Sequence, residues 1–215
     1  MKINKDRLVL SVESELCAGG DAVAEAVAKK LGLRCRTREI LPAASILSGI
    51  SLKLLRRYEE RQVRHAYDLT AESVEELRIP PAREFLAAQI AACRSLAEQG
   101  PCVLAEHHAN AALSDREDHV RIFVHAPRED RLRDFARRWG LLPEKAARAF
   151  AREDRARSRY FRNVAPRWGK SGNYDLSVNA AAASPEVLAD HVVRYLESVS
   201  RETLVHPTPA QKRSA

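Results

Sequence analysis

The chain has 215 residues, 45% apolar and 30% charged, with a formal net charge of +7. That length suits one well-buried core carrying a small lobe, not two ordinary domains with a linker, and no apolar run is long enough to cross a membrane. The basic balance attracts nucleotides, nucleic acid and acidic lipid alike, so charge alone does not choose a partner.

Basic residues precede the run Leu8–Val12, but the run is shorter than a signal-peptide core and no small-residue cleavage site follows, so a cytoplasmic location is expected. After it come a Gly pair and then Val23, Val27 and Leu31 at helical spacing, with Gly32 placed to stop the helix. The pattern reads as strand, glycine turn, helix. It recurs where the helix Ala82–Glu98, with Phe85, Leu86, Ile90, Cys93 and Leu96 on one stripe, ends at Gly100-Pro101 and the buried strand Cys102–Ala105 begins. Val120–Val124 reads as a third strand, and Tyr174–Val178 as a fourth leading to a helix opened by Ser184-Pro185. Short strands alternating with helices predict a mostly parallel sheet covered on both faces.

Between the first helix and Ala82 the chain is charge-dense with a weak apolar period, which fits a helical excursion from the sheet, and the proline-containing segment after Glu202 reads as disordered. Cys17, Cys35, Cys93 and Cys102 lack CxxC spacing and are expected as reduced, packed thiols with no metal role. Glu106, His107 and His108 raise the thought of a metal site, but adjacent histidines at a strand end face opposite ways, and no residue is assigned as a metal ligand.

A glycine turn between a first strand and helix offers backbone N–H groups and the positive helix end to a phosphate. Against the form GxxxxGK(S/T), Ser14 falls at the first glycine, Gly19 at the second, Gly20 at the lysine and Asp21 at the hydroxyl. Glu13 and Glu15 lie close by and repel phosphate, so a plain turn with Asp21 as helix N-cap stays open beside a cation-binding Asp21. The helix from about Glu144 to Arg162 carries two stripes. Phe150, Asp154, Arg157 and Phe161 face inward, where the charged pair compensates itself or meets a charged ligand; Arg148, Arg152, Arg155, Arg159 and Arg162 form a basic stripe that is either a solvated face or a nucleic-acid surface.

Several segments together resemble the cytidylate kinase-like family of P-loop nucleoside monophosphate kinases, from about Leu8 to Leu196. The family pattern ISREYGSGGREIAKKLAEKLG finds VESELCAGGDAVAEAVAKKLG, and EKGPCVIVGRCADYIL finds EQGPCVLAEHHANAAL. Likewise VFIYAPLEYRVKR finds IFVHAPREDRLRD, DKKRAAYYK finds DRARSRYFR, and, most specifically, WGDPDNYDLCINS finds WGKSGNYDLSVNA. The resemblance implies a parallel α/β sheet flanked by helices, ATP with Mg2+ at the glycine loop, and phosphoryl transfer to a CMP-like monophosphate or related small molecule. By residue match it implies Arg131, Asp154 and Arg157 as catalytic and Cys17, Ala18, Gly19, Gly20 and Asp21 around the ATP phosphates. Arg38, Glu106, His107, Arg159, Asn173 and Asp175 would serve the acceptor side.

Four departures remove features such a site uses: the family's arginine before the loop is Ser14, its first loop glycine Cys17, its Gly-Arg pair Glu106-His107, and its aspartate after the second strand Thr37. A non-glycine at position 17 does not reach a positive φ cheaply. The expected organisation is a single P-loop kinase-like α/β domain over residues 1–202, with a helical acceptor lobe at 43–80 and an arginine-rich lid at 128–168, followed by a disordered tail at 203–215. An active phosphotransferase leads, with a catalytically degenerate nucleotide-binding or regulatory protein as the alternative; the expected partner is a nucleotide, with no membrane.

Overall fold

The computed structural model describes residues 6–63 and 82–205. Five strands form one parallel sheet in the order β2-β3-β1-β4-β5: β1 (Val9–Ser14), β2 (Arg34–Cys35), β3 (Cys102–Ala105), β4 (His119–His125) and β5 (Leu176–Asn179). Around it run α1 (Gly20–Leu31), α2 (Ile40–Ser48), α3 (Leu52–Val63), α4 (Ala82–Glu98), the single turn α5 (Ala109–Ala112), α6 (Arg128–Trp139), α7 (Pro143–Arg162) and α8 (Pro185–Val205).

β1 is the central strand, paired with β3 through Val9↔Cys102 and with β4 through Val9↔His119. All six of its residues are buried, as a parallel strand covered on both faces requires. Leu10 and Val12 point into one layer with Val23 and Val27 of α1 and Leu188 and Val192 of α8. Val9 points the other way, toward Ile40, Phe85 and Leu104. Ser11 and Glu13 are buried polar residues of the same strand, and each is matched: Ser11 Oγ lies 2.8 Å from His119 Nε2, and Glu13 Oε2 accepts the Tyr174 hydroxyl at 2.8 Å.

The strand and helix expectations meet their counterparts within about two residues, as boundaries read from pattern do. β2 was not expected; two residues carry no visible period, and it forms because Arg36 N continues its pairing to Val103 O. Asp21 is not the N-cap of α1. Gly19 takes that place at φ 79°, no side chain caps the helix, and Asp21 stands exposed in its first turn. At the other end Gly32, φ 66°, closes α1 onto Ala28 and Lys29 carbonyls, as its position in the sequence suggests.

Of the segment 43–80, α2 and the start of α3 pack within the layer beneath β1 and β3, since Ile40, Ala44, Ile50 and Leu55 share one cluster with Phe85 and Leu104; residues 64–81 lie outside the described residues. Of the expected tail, 203–205 finish α8 and 206–215 lie outside the described residues. Among the described residues no helix is long and apolar enough to cross a membrane.

Gly20 shows how tightly β1 meets α1. A β-carbon there would stand 2.5 Å from Ser14 Oγ and 2.6 Å from Ser14 Cβ, so a side chain at position 14 demands glycine at position 20. Gly20→Ala is expected to cost about 1–3 kcal/mol of unfolding free energy in urea titration, most of it recovered in S14G/G20A. Equal losses in the two variants would place the constraint elsewhere.

Candidate functional site

β1 ends where the chain order reverses, β3 lying on one side and β4 on the other, the place where open α/β sheets bind ligands. The turn Glu15–Gly19 leads from it into α1. Glu15 N donates to Val124 O at 3.1 Å and Ala18 N to Glu15 O at 3.1 Å. Cys17 adopts φ 59° despite its β-carbon, a conformation that costs roughly 1–2 kcal/mol outside glycine. The loop therefore keeps the backbone path of a glycine turn, with strain at Cys17, the loop position where the related pattern has glycine and this chain does not.

Two arginines truss this loop. Arg131 of α6 is buried, donating to Leu16 O (3.3 Å) and Ala126 O (3.1 Å) while pairing with Asp154 (2.6 Å) and Glu15 (3.2 Å). Its guanidinium sits 5.2 Å from the Phe150 ring centroid. Arg157 of α7 donates twice to Ser14 O, at 3.1 and 3.0 Å, and pairs with Glu106 at 2.5 Å, over the Phe161 ring at 5.0 Å. The inward stripe of α7 is thus two aromatic floors under two cations. Asp154 and Arg157 do not compensate each other: one neutralises Arg131, the other is neutralised by Glu106.

Glu106 closes the site from the β3 side. Its Oε1 accepts Ser14 Oγ–H at 2.7 Å, Oε2 takes Arg157, and Oε1 would lie 3.5 Å from a β-carbon at Gly20. Glu106, His107 and His108 form a left-handed turn with φ of 62°, 50° and 59°, so three consecutive side chains hold a conformation that favours glycine. Burial raises the Glu106 carboxyl, against the pull of Arg157 and Ser14. Glu13 is raised to about 7, first by burial, with the Glu106 charge adding and Tyr174 and Arg157 opposing. Two guanidiniums, Arg131 and Arg157, face four carboxylates, Glu13, Glu15, Glu106 and Asp154, and each is already partnered.

The Trp-Gly and Asn-Tyr-Asp-Leu motif buttresses this arrangement. Trp168 stacks on Phe161 at 5.2 Å, Gly169 (φ 74°) donates its N–H to the Tyr174 hydroxyl at 3.2 Å, and that hydroxyl donates to Glu13. Asp175 accepts Arg121 N at 2.8 Å and its guanidinium at 3.0 and 2.8 Å, locking β5 to β4. Asn173 ends a short turn with its N–H on Lys170 O (2.9 Å).

Of the expected site residues, Cys17, Ala18 and Gly19 line an open cleft of about 450 Å³. Its other walls are Ala22 and Val23 of α1, Ala126 with Asp130, Asp134, Arg137 and Arg138 of α6, and Ala180, Ala181, Ala183, Pro185 and Leu188 after β5. Gly20, Glu106, Arg131, Asp154 and Arg157 gather at the loop behind it. Asp21 and Arg38 line a separate recess of about 150 Å³ with Glu25, Cys35 and Thr37, where Arg38 is exposed and reaches Glu25 at 3.4 Å. Arg159 stands on the exposed face of α7, and Asp175 is committed to Arg121. His107 and His108 lie in the left-handed turn rather than on a strand, and His108 packs against the Tyr160 and Phe161 rings; burial pushes it down to about 3. No metal-holding cluster occurs among the described residues. Sequence reading missed the bonds joining Ser14 to Glu106, Arg121 to Asp175 and Tyr174 to Glu13; the signal for the first was a glutamate in the glycine position after β3.

A sequence model of the cytidylate kinase-like family matches residues 9–182. No curated protein gives a sequence match. Among solved structures, an uncharacterized protein from Eubacterium ventriosum ATCC 27560 superposes with a TM-score of 0.63 at 17% identity, over 89% of this chain and 99% of its own. Shikimate kinase from Bacteroides thetaiotaomicron gives 0.55 at 11% identity, over 88% and 98%, and shikimate kinase from Acinetobacter baumannii, in complex with shikimate, gives 0.51 at 15%, over 89% and 94%. At these identities the likeness is one of fold: this is a P-loop kinase-like α/β sheet.

Cys17 and Glu106 share a left-handed backbone but differ in partners, so their glycine variants should diverge. Cys17→Gly is expected to raise stability by about 1 kcal/mol through relief of strain, and Glu106→Gly to lower it by a few kcal/mol because the largely buried Arg157 side chain loses its carboxylate. Urea unfolding that moved both the same way would contradict this. For Glu13, a folded pKa raised above the unfolded carboxylate value means protons bind the folded state more tightly. Stability should therefore fall as pH rises from about 4.5 through 7. Glu13→Gln should remove that fall, gaining on the parent by up to about 3 kcal/mol between pH 5 and 8; parallel pH profiles would refute it.

Proposed function

The chain belongs to the cytidylate kinase-like family, and we propose that it is a member that has given up phosphoryl transfer and serves as a nucleoside-binding or regulatory module. The observation that carries this is Glu106: its carboxylate stands at the glycine loop, hydrogen-bonded to Ser14 and paired with Arg157, in the ground a phosphate would need. Mg2+ and ATP do not fit these residues as they stand. The backbone supplies a helix N-terminus without a side-chain cap, which favours an anion. The side chains reverse that preference, because a phosphate would meet Glu15 and Glu106 and find Arg131 and Arg157 already neutralised.

What remains usable is the cleft between the loop, α6 and the turn after β5. Its volume, about 450 Å³, lies within the range of small-molecule sites, and its small apolar walls with Asp130 and Asp134 suit a flat, hydrogen-bonding ring system better than a polyphosphate. Binding there without a reacting phosphate is the activity of a sensor or a partner-regulated scaffold. The competing reading, ATP-dependent phosphorylation of a CMP-like acceptor, is favoured by one feature: Arg137 and Arg138 line the same cleft, and both are held by Asp134. If they swung onto phosphates, the lost loop charge would be restored from α6.

Calorimetric titration separates these. The parent protein should bind adenosine or a related nucleoside but give no heat with millimolar Mg2+-ATP, and no CMP phosphorylation should be detectable. S14R/E106G, which returns both positions to the family pattern and leaves Gly20 to accommodate the new arginine, should gain Mg2+-ATP binding. Micromolar binding of Mg2+-ATP to the parent with turnover of CMP would overturn the proposal.

A further inference from the structure

α6 and α7 are both arginine-rich, but they treat their arginines differently. On α6, four of the five arginines, Arg131, Arg133, Arg137 and Arg138, have a carboxylate partner, and the fifth, Arg128, lies over the Phe150 ring. On α7, Arg152 and Arg157 have one. Arg148, Arg155, Arg159 and Arg162 are exposed and, among the described residues, have no hydrogen-bonded or ion-paired side chain opposite them. With Arg152 they follow one another at steps of four, three, four and three, the spacing at which like charges on a helix repel. No acidic residue lies three or four positions from Arg159 or Arg162. Among the described residues, Glu153 offsets Arg152 and Glu144 lies four positions before Arg148, while the repulsion among Arg155, Arg159 and Arg162 has no acidic side chain set against it.

From Arg148 to Arg162 the row spans roughly 21 Å at 1.5 Å per residue. The cations therefore lie along a line, as the charges of a polyanion do, rather than converging on a point. We propose that this face of α7 binds the backbone of duplex nucleic acid without reading sequence. Apart from Pro143 at its start, the exposed residues of α7 are Glu144, Lys145 and these four arginines, a set that offers positive charge to phosphates along the row. An anionic membrane is the poorer fit. An interfacial helix inserts its apolar face into lipid, whereas Phe150, Ala156, Tyr160 and Phe161 on the apolar side of α7 are buried in the protein. Trp139 at the end of α6 and Leu142 just before α7 are exposed apolar residues.

The inference does not depend on whether the loop binds ATP, since none of these four arginines lines the cleft beside it. It is tested by fluorescence anisotropy with the full chain and labelled duplexes of roughly 20 base pairs, one DNA and one RNA, between 50 and 200 mM salt. Four backbone contacts predict a fall in affinity on the order of a hundredfold over that range. R148Q/R155Q/R159Q/R162Q should bind at least about tenfold more weakly with a shallower salt response, at an unchanged circular dichroism spectrum. Should the quadruple variant fail to fold, R155E and R159E singly carry the same expectation in smaller degree. The inference fails if neither duplex binds, if the variants keep the parent's affinity and salt response, or if the chain binds phosphatidylserine vesicles and leaves both duplexes free.

Discussion

Arg157 grips the last carbonyl of β1 and the first carboxylate after β3 at once, and the arrangement of the site follows from that grip. A guanidinium with so little exposure needs its charge matched nearby. Glu106 supplies the match, which fixes the left-handed turn Glu106–His108 in spite of its strain. Glu106 then takes the Ser14 hydroxyl, and Ser14 in turn leaves no room for a side chain on Gly20. Sterics and electrostatics are interlocked: the residue that pairs with Arg157 also sets the geometry of the loop.

On the other side of the loop, Arg131 repeats the device with Glu15 and Asp154 over Phe150. In this structure the two arginines act as internal tie-bars, each holding a loop carbonyl and a carboxylate. A kinase-like sheet with a glycine turn at its switch point does not itself confer phosphoryl transfer, since a fold hosts whatever chemistry its site residues allow. Transfer needs positive charge aimed at the phosphoryl group and unspent on the protein. In this structure the guanidiniums of Arg131 and Arg157 are paired with Glu15, Asp154 and Glu106, the last standing where the family pattern carries glycine.

Much of the fold was legible because its signals are local or periodic. The apolar runs of β1, β3 and β4, the helix Ala82–Glu98 and the stops at Gly32 and Gly100 are read from composition and spacing. β2 was not, because two residues paired to a neighbour leave no period. At the site, the inward faces of Phe150, Asp154, Arg157 and Phe161 were visible from helical spacing, yet their partners were not: which carboxylate meets which arginine depends on contacts more than twenty residues apart, such as Arg131 with Asp154 and Arg157 with Glu106. Asp21 illustrates the opposite error, for an acidic residue beside a glycine pair reads as a cap until the glycine itself takes the left-handed position.

The most direct test of the central claim is a crystal structure determined after soaking in concentrated inorganic phosphate. The account predicts Glu106 still bonded to Ser14 and Arg157, with no anion on the amides of residues 17–21. A phosphate seated on those amides, with the Glu106 side chain turned out and Arg157 holding the anion instead, would contradict it.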